Sequence, residues 1–172
     1  MRGLLFALFL QPAVFAQTQV GLDGGILKST QENARLFYGA EVMVKREVSE
    51  AVRGNVNLGI YQYTNVVVGS KVRSYAVPVS VGLDYSFLSN DVRPYLGVNA
   101  GLMIRTVNQL FGSASTFNPS ISPVAGVDYQ LNDHFGLNLN FKYSFVFYRD
   151  ESTPAPDFIS WMNPNAGVFY TF

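Results

Sequence analysis

Residues 134 to 147 place seven large apolar side chains on alternate positions: Phe135, Leu137, Leu139, Phe141, Tyr143, Phe145 and Phe147. Between them fall His134, Gly136, Asn138, Asn140, Lys142 and Ser144. A strand points successive side chains to opposite faces, so the spacing predicts a strand with one wholly apolar face and one small, polar face. Two other stretches repeat the pattern. In 95–105, Leu96, Val98, Ala100, Leu102 and Ile104 oppose Tyr95, Gly97, Asn99, Gly101, Met103 and Arg105. In 75–87, Tyr75, Val77, Val79, Val81, Leu83, Tyr85 and Phe87 oppose Ala76, Pro78, Ser80, Gly82, Asp84 and Ser86. Fainter alternation at 19–28, 36–47, 53–63, 121–131 and 161–172 brings the expectation to eight strands, with no convincing 3.6-residue apolar stripe. The chain reads as all-β.

Alternation alone also fits a sandwich, whose apolar face is the protein core. The other face decides, and here it holds Gly, Ser, Asn and isolated charges. Bulky apolar groups outside with small and polar groups inside describe a narrow barrel built for hydrocarbon. Closure follows, because a free sheet edge in lipid leaves backbone groups without hydrogen bonds. Ten residues, as from Tyr75 to Tyr85 or Phe135 to Phe145, span roughly 33 Å along a strand and about 25 Å after tilting, the height of a transmembrane apolar band. Aromatics at 15% and charged residues at only 14% agree with a surface largely solvated by something other than water. A soluble lipid-carrying barrel would exchange the two faces.

The N-terminal segment carries Arg2, an apolar run from Gly3 to Leu10, Pro12 and the small-residue site Val14-Phe15-Ala16. We read 1–16 as a signal peptide and 17–172 as the barrel domain. The run is too short for a transmembrane helix. The absence of Cys excludes lipid attachment, disulfides and thiol chemistry. Without Arg2 the balance is 11 basic against 12 acidic residues, about −1, which argues against nucleic acid as a partner.

Short turns are expected at 49–51, 88–91 and 132–133, and longer loops near 29–35, 65–71, 107–119 and 149–157. Short turns belong on the periplasmic side and long loops outside. At the C-terminus, Asn165, Gly167, Tyr170 and Phe172 resemble the assembly signal of bacterial outer-membrane β-barrels. Together with the segment Arg93-Pro94-Tyr95-Leu96-Gly97-Val98-Asn99-Ala100-Gly101, the stretch 17–172 resembles the small barrels of the OmpA transmembrane-domain and OmpX type. The resemblance implies an eight-stranded antiparallel up-and-down transmembrane β-barrel, exported by the secretory route and inserted by the barrel assembly machinery among outer-membrane lipid and lipopolysaccharide. No appended peptidoglycan-binding domain is expected, since the chain stops at the last strand. Pro78, Pro123 and Pro164 fall inside strands and predict bulges or shortened pairing, and Gly24-Gly25 makes the first strand's register the least secure.

Function must come from the lumen and the loops, since this fold does not specify it. Parity sends Asp23, Glu41, Lys45, Glu47, Arg53, Asp84, Arg105, Asp128 and Lys142 inward, most of them near the periplasmic end, with Glu41 and Lys142 near mid-barrel. Charges in so narrow a space are paired or hydrated. We expect Glu41 and Lys142 to meet and plug the lumen, giving a structural or surface-interaction protein without catalysis; the alternative is a narrow or gated porin-like channel using the same residues as its gate. Lipid-modifying barrels of the palmitoyl-transferase and lipid A deacylase types use a His with Ser or an acid. Here the lone His134 sits beside Asp133 at a turn, and Ser80 and Ser86 share a face with Asp84 but have no nearby base. No metal-ligand spacing or phosphate-cradling loop is present, so no cofactor is expected. Leu110, Phe111 and Phe117 are candidate contacts for an extracellular ligand in the longest outer loop, and Trp161 is read as packing or interface anchoring high on the last strand.

Overall fold

The computed structural model describes residues 17–32, 34–67, 70–88, 91–109, 112–148 and 157–172. The strands are β1 (Thr18–Ser29), β2 (Leu36–Glu47), β3 (Val52–Val67), β4 (Ser70–Ser86), β5 (Val92–Gln109), β6 (Gly112–Gln130), β7 (Phe135–Tyr148) and β8 (Asp157–Thr171). Each pairs antiparallel with its sequence neighbours, and β1 pairs with β8, so these eight strands close a barrel with no free edge. The expected signal peptide, 1–16, lies outside the described residues.

The alternation partitions as the hydrocarbon argument requires. Leu139 on the outer face is 62% exposed while its neighbour Asn140 is 5% exposed. Outward aromatics cluster toward both ends, as in the girdles of transmembrane barrels. Near the short turns and the C-terminus, the Tyr85 ring lies 5.4 Å from Phe87, and Tyr170 lies 5.1 Å from Phe135 and 4.8 Å from Phe172. Toward the other end, Phe158 lies 5.8 Å from Phe145 and 6.5 Å from Phe147.

Pro78, Pro123 and Pro164 each keep pairing with one neighbour and interrupt the ladder with the other without shifting register. Leu58↔Val79 is followed by Tyr61↔Ala76 around Pro78; Ile121↔Phe145 by Val124↔Lys142 around Pro123; and Gly25↔Asn165 by Lys28↔Met162 around Pro164. Pairing is shortened and there is no bulge. At Pro164 the missing donor is replaced locally, because Asn163 Nδ2 donates to the carbonyl of Ile26 at 2.7 Å, opposite the proline. Across Gly24-Gly25 the β1–β2 register runs unbroken from Thr18↔Arg46 to Lys28↔Leu36.

Two outer loops are shorter than the sequence suggests. β3 and β4 pair up to Val67↔Ser70, and β5 and β6 pair up to Gln109↔Gly112, so most of 65–71 and 107–119 is strand. Above the bilayer both faces of a hairpin meet water. Apolar alternation then disappears from the sequence although backbone pairing continues.

Candidate functional site

The lumen is assembled from the inward-facing positions of all eight strands. At the end bearing the short turns, Asp128 on β6 is the hub. Lys45 Nζ on β2 donates to both carboxylate oxygens at 3.3 Å, and Arg53 Nη1 on β3 and Asn138 Nδ2 on β7 donate to it as well. Strands β2 and β6 lie on opposite walls, so these bonds cross the barrel. Lys45 also lies 3.8 Å from Asp84, which accepts from Asn55 Nδ2 at 2.9 Å. The Tyr95 ring sits beneath both cations, 3.9 Å from Lys45 Nζ and 5.1 Å from the Arg53 guanidinium. Gly126 leaves the space this ring occupies, since a Cβ there would lie 2.5 Å from it. Nearer the opening, Arg93 bonds Glu47 at 3.2 Å.

One layer further in, Asp23 and Glu41 stand directly opposite each other on β1 and β2. Lys142 donates to Glu41, and Asn140 Nδ2 donates to Asp23 at 2.7 Å. An asparagine ladder ties the layers together: Asn140 donates to Asn138, Asn165 donates to Asn140 at 3.3 Å, and the Tyr61 hydroxyl donates to Asn165 at 2.9 Å. The i, i+2 repeats Asn55/Asn57, Asn138/Asn140 and Asn163/Asn165, absent from the expected lumen charge network, are the signal in the sequence for this ladder, since the two-residue period puts both members of each pair on one face. Tyr61→Phe should cost about 1 kcal/mol in a denaturant titration, the typical worth of one buried neutral hydrogen bond.

Toward the outer end the lumen changes character. Leu27, Phe37, Tyr61, Ala76, Met103, Val146 and Trp161 pack into one buried cluster inside the barrel. This corrects the expectation of a polar lumen throughout. Arg105 belongs here and stands apart from the charge network in which it was placed, with its guanidinium 5.3 Å over the Trp161 ring and Nη1 3.5 Å from the Tyr148 hydroxyl. Trp161, read as packing or as an interface anchor, packs inward and is 3% exposed.

Between the ion-paired layers remains a cavity of about 10 Å³, lined by residues including Lys45, Asn57, Asp84, Tyr95 and Lys142. That is the lower limit for a single water molecule.

The other candidate residues fall elsewhere. Leu110 and Phe111 lie outside the described residues. Phe117 is corrected from loop to strand: it pairs with Ile104 on β5 and points outward, exposed. Tyr170 and Phe172 face outward, while Asn165 and Gly167 face the lumen. His134 is exposed in a turn where Asn132 Oδ1 accepts from the His134 and Phe135 amides at 3.0 and 2.9 Å. Among the described residues no cluster of three or more His, Cys, Asp or Glu could hold a metal ion.

A family model described as the outer membrane protein beta-barrel domain matches residues 3–172, nearly the whole chain. The chain belongs to this family. The outer-membrane barrel is also similar in structure to solved proteins of low identity. Neisserial surface protein A matches with a TM-score of 0.68 at 16% identity, over 91% of this chain and 97% of that one. The attachment invasion locus protein of Yersinia pestis, solved with the heparin analogue sucrose octasulfate, matches with a TM-score of 0.61 at 15% identity, over 91% and 97%. The N-terminal β-barrel domain of Pseudomonas aeruginosa OprF matches with a TM-score of 0.58 at 17% identity, over 92% and 100%. At such identities these likenesses speak for the fold of the outer-membrane barrel. No curated protein sequence matches it.

Proposed function

We propose that this outer-membrane barrel is a non-catalytic surface protein whose lumen is a cross-braced plug and whose outer end meets external partners. The observation that carries this reading is the cavity of about 10 Å³ left between the Lys45–Arg53–Asp84–Asp128 cluster and the Glu41–Lys142 pair. A hydrated ion needs a continuous column of water, and side chains bonded across the lumen occupy that volume. The apolar cluster above adds a second barrier, because a dry constriction opposes ion entry. A surface role is in keeping with the names of the Neisserial and Yersinia neighbours. Residues 1–16 act in this reading as the export signal, and Asn165, Gly167, Tyr170 and Phe172 as the signal for the assembly machinery.

Planar-bilayer recording tests the reading. The wild-type protein, with its heat-sensitive gel mobility as proof of a closed barrel, is expected to stay silent, as are Glu41→Gln and Lys142→Met. Discrete openings that either substitution alters would instead establish the gated pore. The unpartnered buried Asp23 Oδ1 and Asn99 Oδ1 are the observation on that side, since they mark polar positions able to hold water.

A further inference from the structure

The cations of the inner lumen have carboxylate partners: Lys45 and Arg53 with Asp128, Lys142 with Glu41, and Arg93 with Glu47. Two guanidiniums at the outer end do not. Among the described residues no ion pair joins Arg35 or Arg105 to a carboxylate.

Both instead rest on rings. Arg35 lies 4.9 Å over Tyr63, Tyr63 lies 5.9 Å from Phe37, Phe37 lies 6.0 Å from Trp161, and Arg105 lies 5.3 Å over Trp161. An unbroken run of ring contacts therefore connects one guanidinium to the other. Arg105 occupies an inward position by parity with the buried Met103, and Arg35, the residue before β2, reaches the ring of Tyr63, which packs against the buried apolar cluster. Arg35 is exposed and Arg105 half-buried. The Trp161 Nε1 donor within this floor is buried and has no hydrogen-bond partner among the described residues.

A ring offers a guanidinium no carboxylate oxygen, so apart from Arg105 Nη1, which donates to the Tyr148 hydroxyl, the N–H edge of each has no acceptor among the described residues. That edge is the part that matches an oxyanion in bidentate fashion. The inner lumen balances its cations with acids, whereas among the described residues no acid pairs with these two outer charges, and a guanidinium pair so placed favours an anion.

We propose that the outer mouth binds a soluble polyanion bearing phosphate or sulfate ester groups, with Arg35 and Arg105 as its two anchors on a shared aromatic floor. The proposal rests on the surface-interaction reading above and names the chemistry of its ligand.

Trp161 is the sole tryptophan and lies under Arg105, so its fluorescence reports on the site. Detergent-solubilised protein free of lipopolysaccharide, titrated with inositol hexakisphosphate, should give a saturable change in emission. Arg35→Gln and Arg105→Gln should each weaken binding about tenfold or more, as expected for losing charge-assisted hydrogen bonds. Arg73→Gln, at an exposed position that parity with Tyr75 and Val77 turns outward, should leave binding unchanged. If Arg105→Gln fails the gel-mobility check for folding, the exposed Arg35→Gln decides. The proposal is overturned if neither fluorescence nor calorimetry detects saturable binding, or if Arg73→Gln weakens it as much as the other two. Bilayer silence with no anion response would leave the plugged barrel standing and remove this site alone.

Discussion

Asp128→Ala should destabilise the barrel by about 3–5 kcal/mol, the range for removing one partner of a buried ion pair. Asp128 accepts from Lys45, Arg53 and Asn138, and the two cations are each 3% exposed. Without the carboxylate the two cations are left side by side on the neighbouring strands β2 and β3, with Asp84 as the remaining acid of the cluster at 3.8 Å from Lys45. Water can relieve this only by opening the packed layer. Urea unfolding in detergent micelles, followed by the loss of heat-sensitive gel mobility, measures the effect. A loss below about 1 kcal/mol, the worth of an exposed pair, would show the cluster to be hydrated and not buried. A variant replacing the whole cluster, with Lys45→Met, Arg53→Met, Asp84→Asn and Asp128→Leu, should recover most of the lost stability. Apolar packing often matches or exceeds a buried ion network once no charge is left unpaired. Failure of that recovery would mean that the network contributes stability of its own.

Gly39→Ala should cost about 3 kcal/mol or prevent closure of the barrel, at or beyond the upper end of the usual overpacking range. A Cβ on Gly39 would lie 2.0 Å from the Ile60 carbonyl oxygen and 2.6 Å from Tyr61 Cα. Both obstacles are backbone of the adjacent β3, so no rotamer change relieves them. The close approach lets the buried Tyr61 ring cross the lumen to Asn165. Gly24→Ala, one strand away on the lipid-facing side, is the control, because nothing lies within 4 Å of a Cβ there. It should fold normally, and comparing the fraction of heat-sensitive monomer for the two variants decides the matter. Equal yields would mean that β2 and β3 can separate enough to admit a methyl group.

The contrast between these glycines bounds what could be foreseen. The strands and their faces were legible because lipid imposes a strict two-residue period on every side chain it touches. Closure was legible because hydrocarbon tolerates no free edge. Glu41 and Lys142 could be matched as partners in advance, since parity sends both inward and counting from the turns puts them at similar depth. In the structure they are bonded.

That reasoning loses its force where lipid stops acting. Residues such as Ser113, Ala114 and Ser115 continue the β5–β6 ladder, opposite Asn108, Val107 and Thr106, without any alternating signal. Inside the lumen, parity says which residues face inward and not which of them meet, because contacts there run between walls far apart in sequence. Lys45 reaches Asp128 across 83 positions. Arg105 has the same parity as the charge network, yet it rests on Trp161 in an apolar layer. The sequence by itself therefore determined a closed eight-stranded barrel for a membrane and the identity of its inward charges. The three-dimensional packing alone decided that the inner half is braced by ion pairs, that the outer half is sealed by apolar side chains, and that two guanidiniums at the mouth rest on rings and pair with no carboxylate among the described residues. The physical reason is that the solvent acts on each residue separately along the strand, whereas charge pairing depends on distances across the barrel.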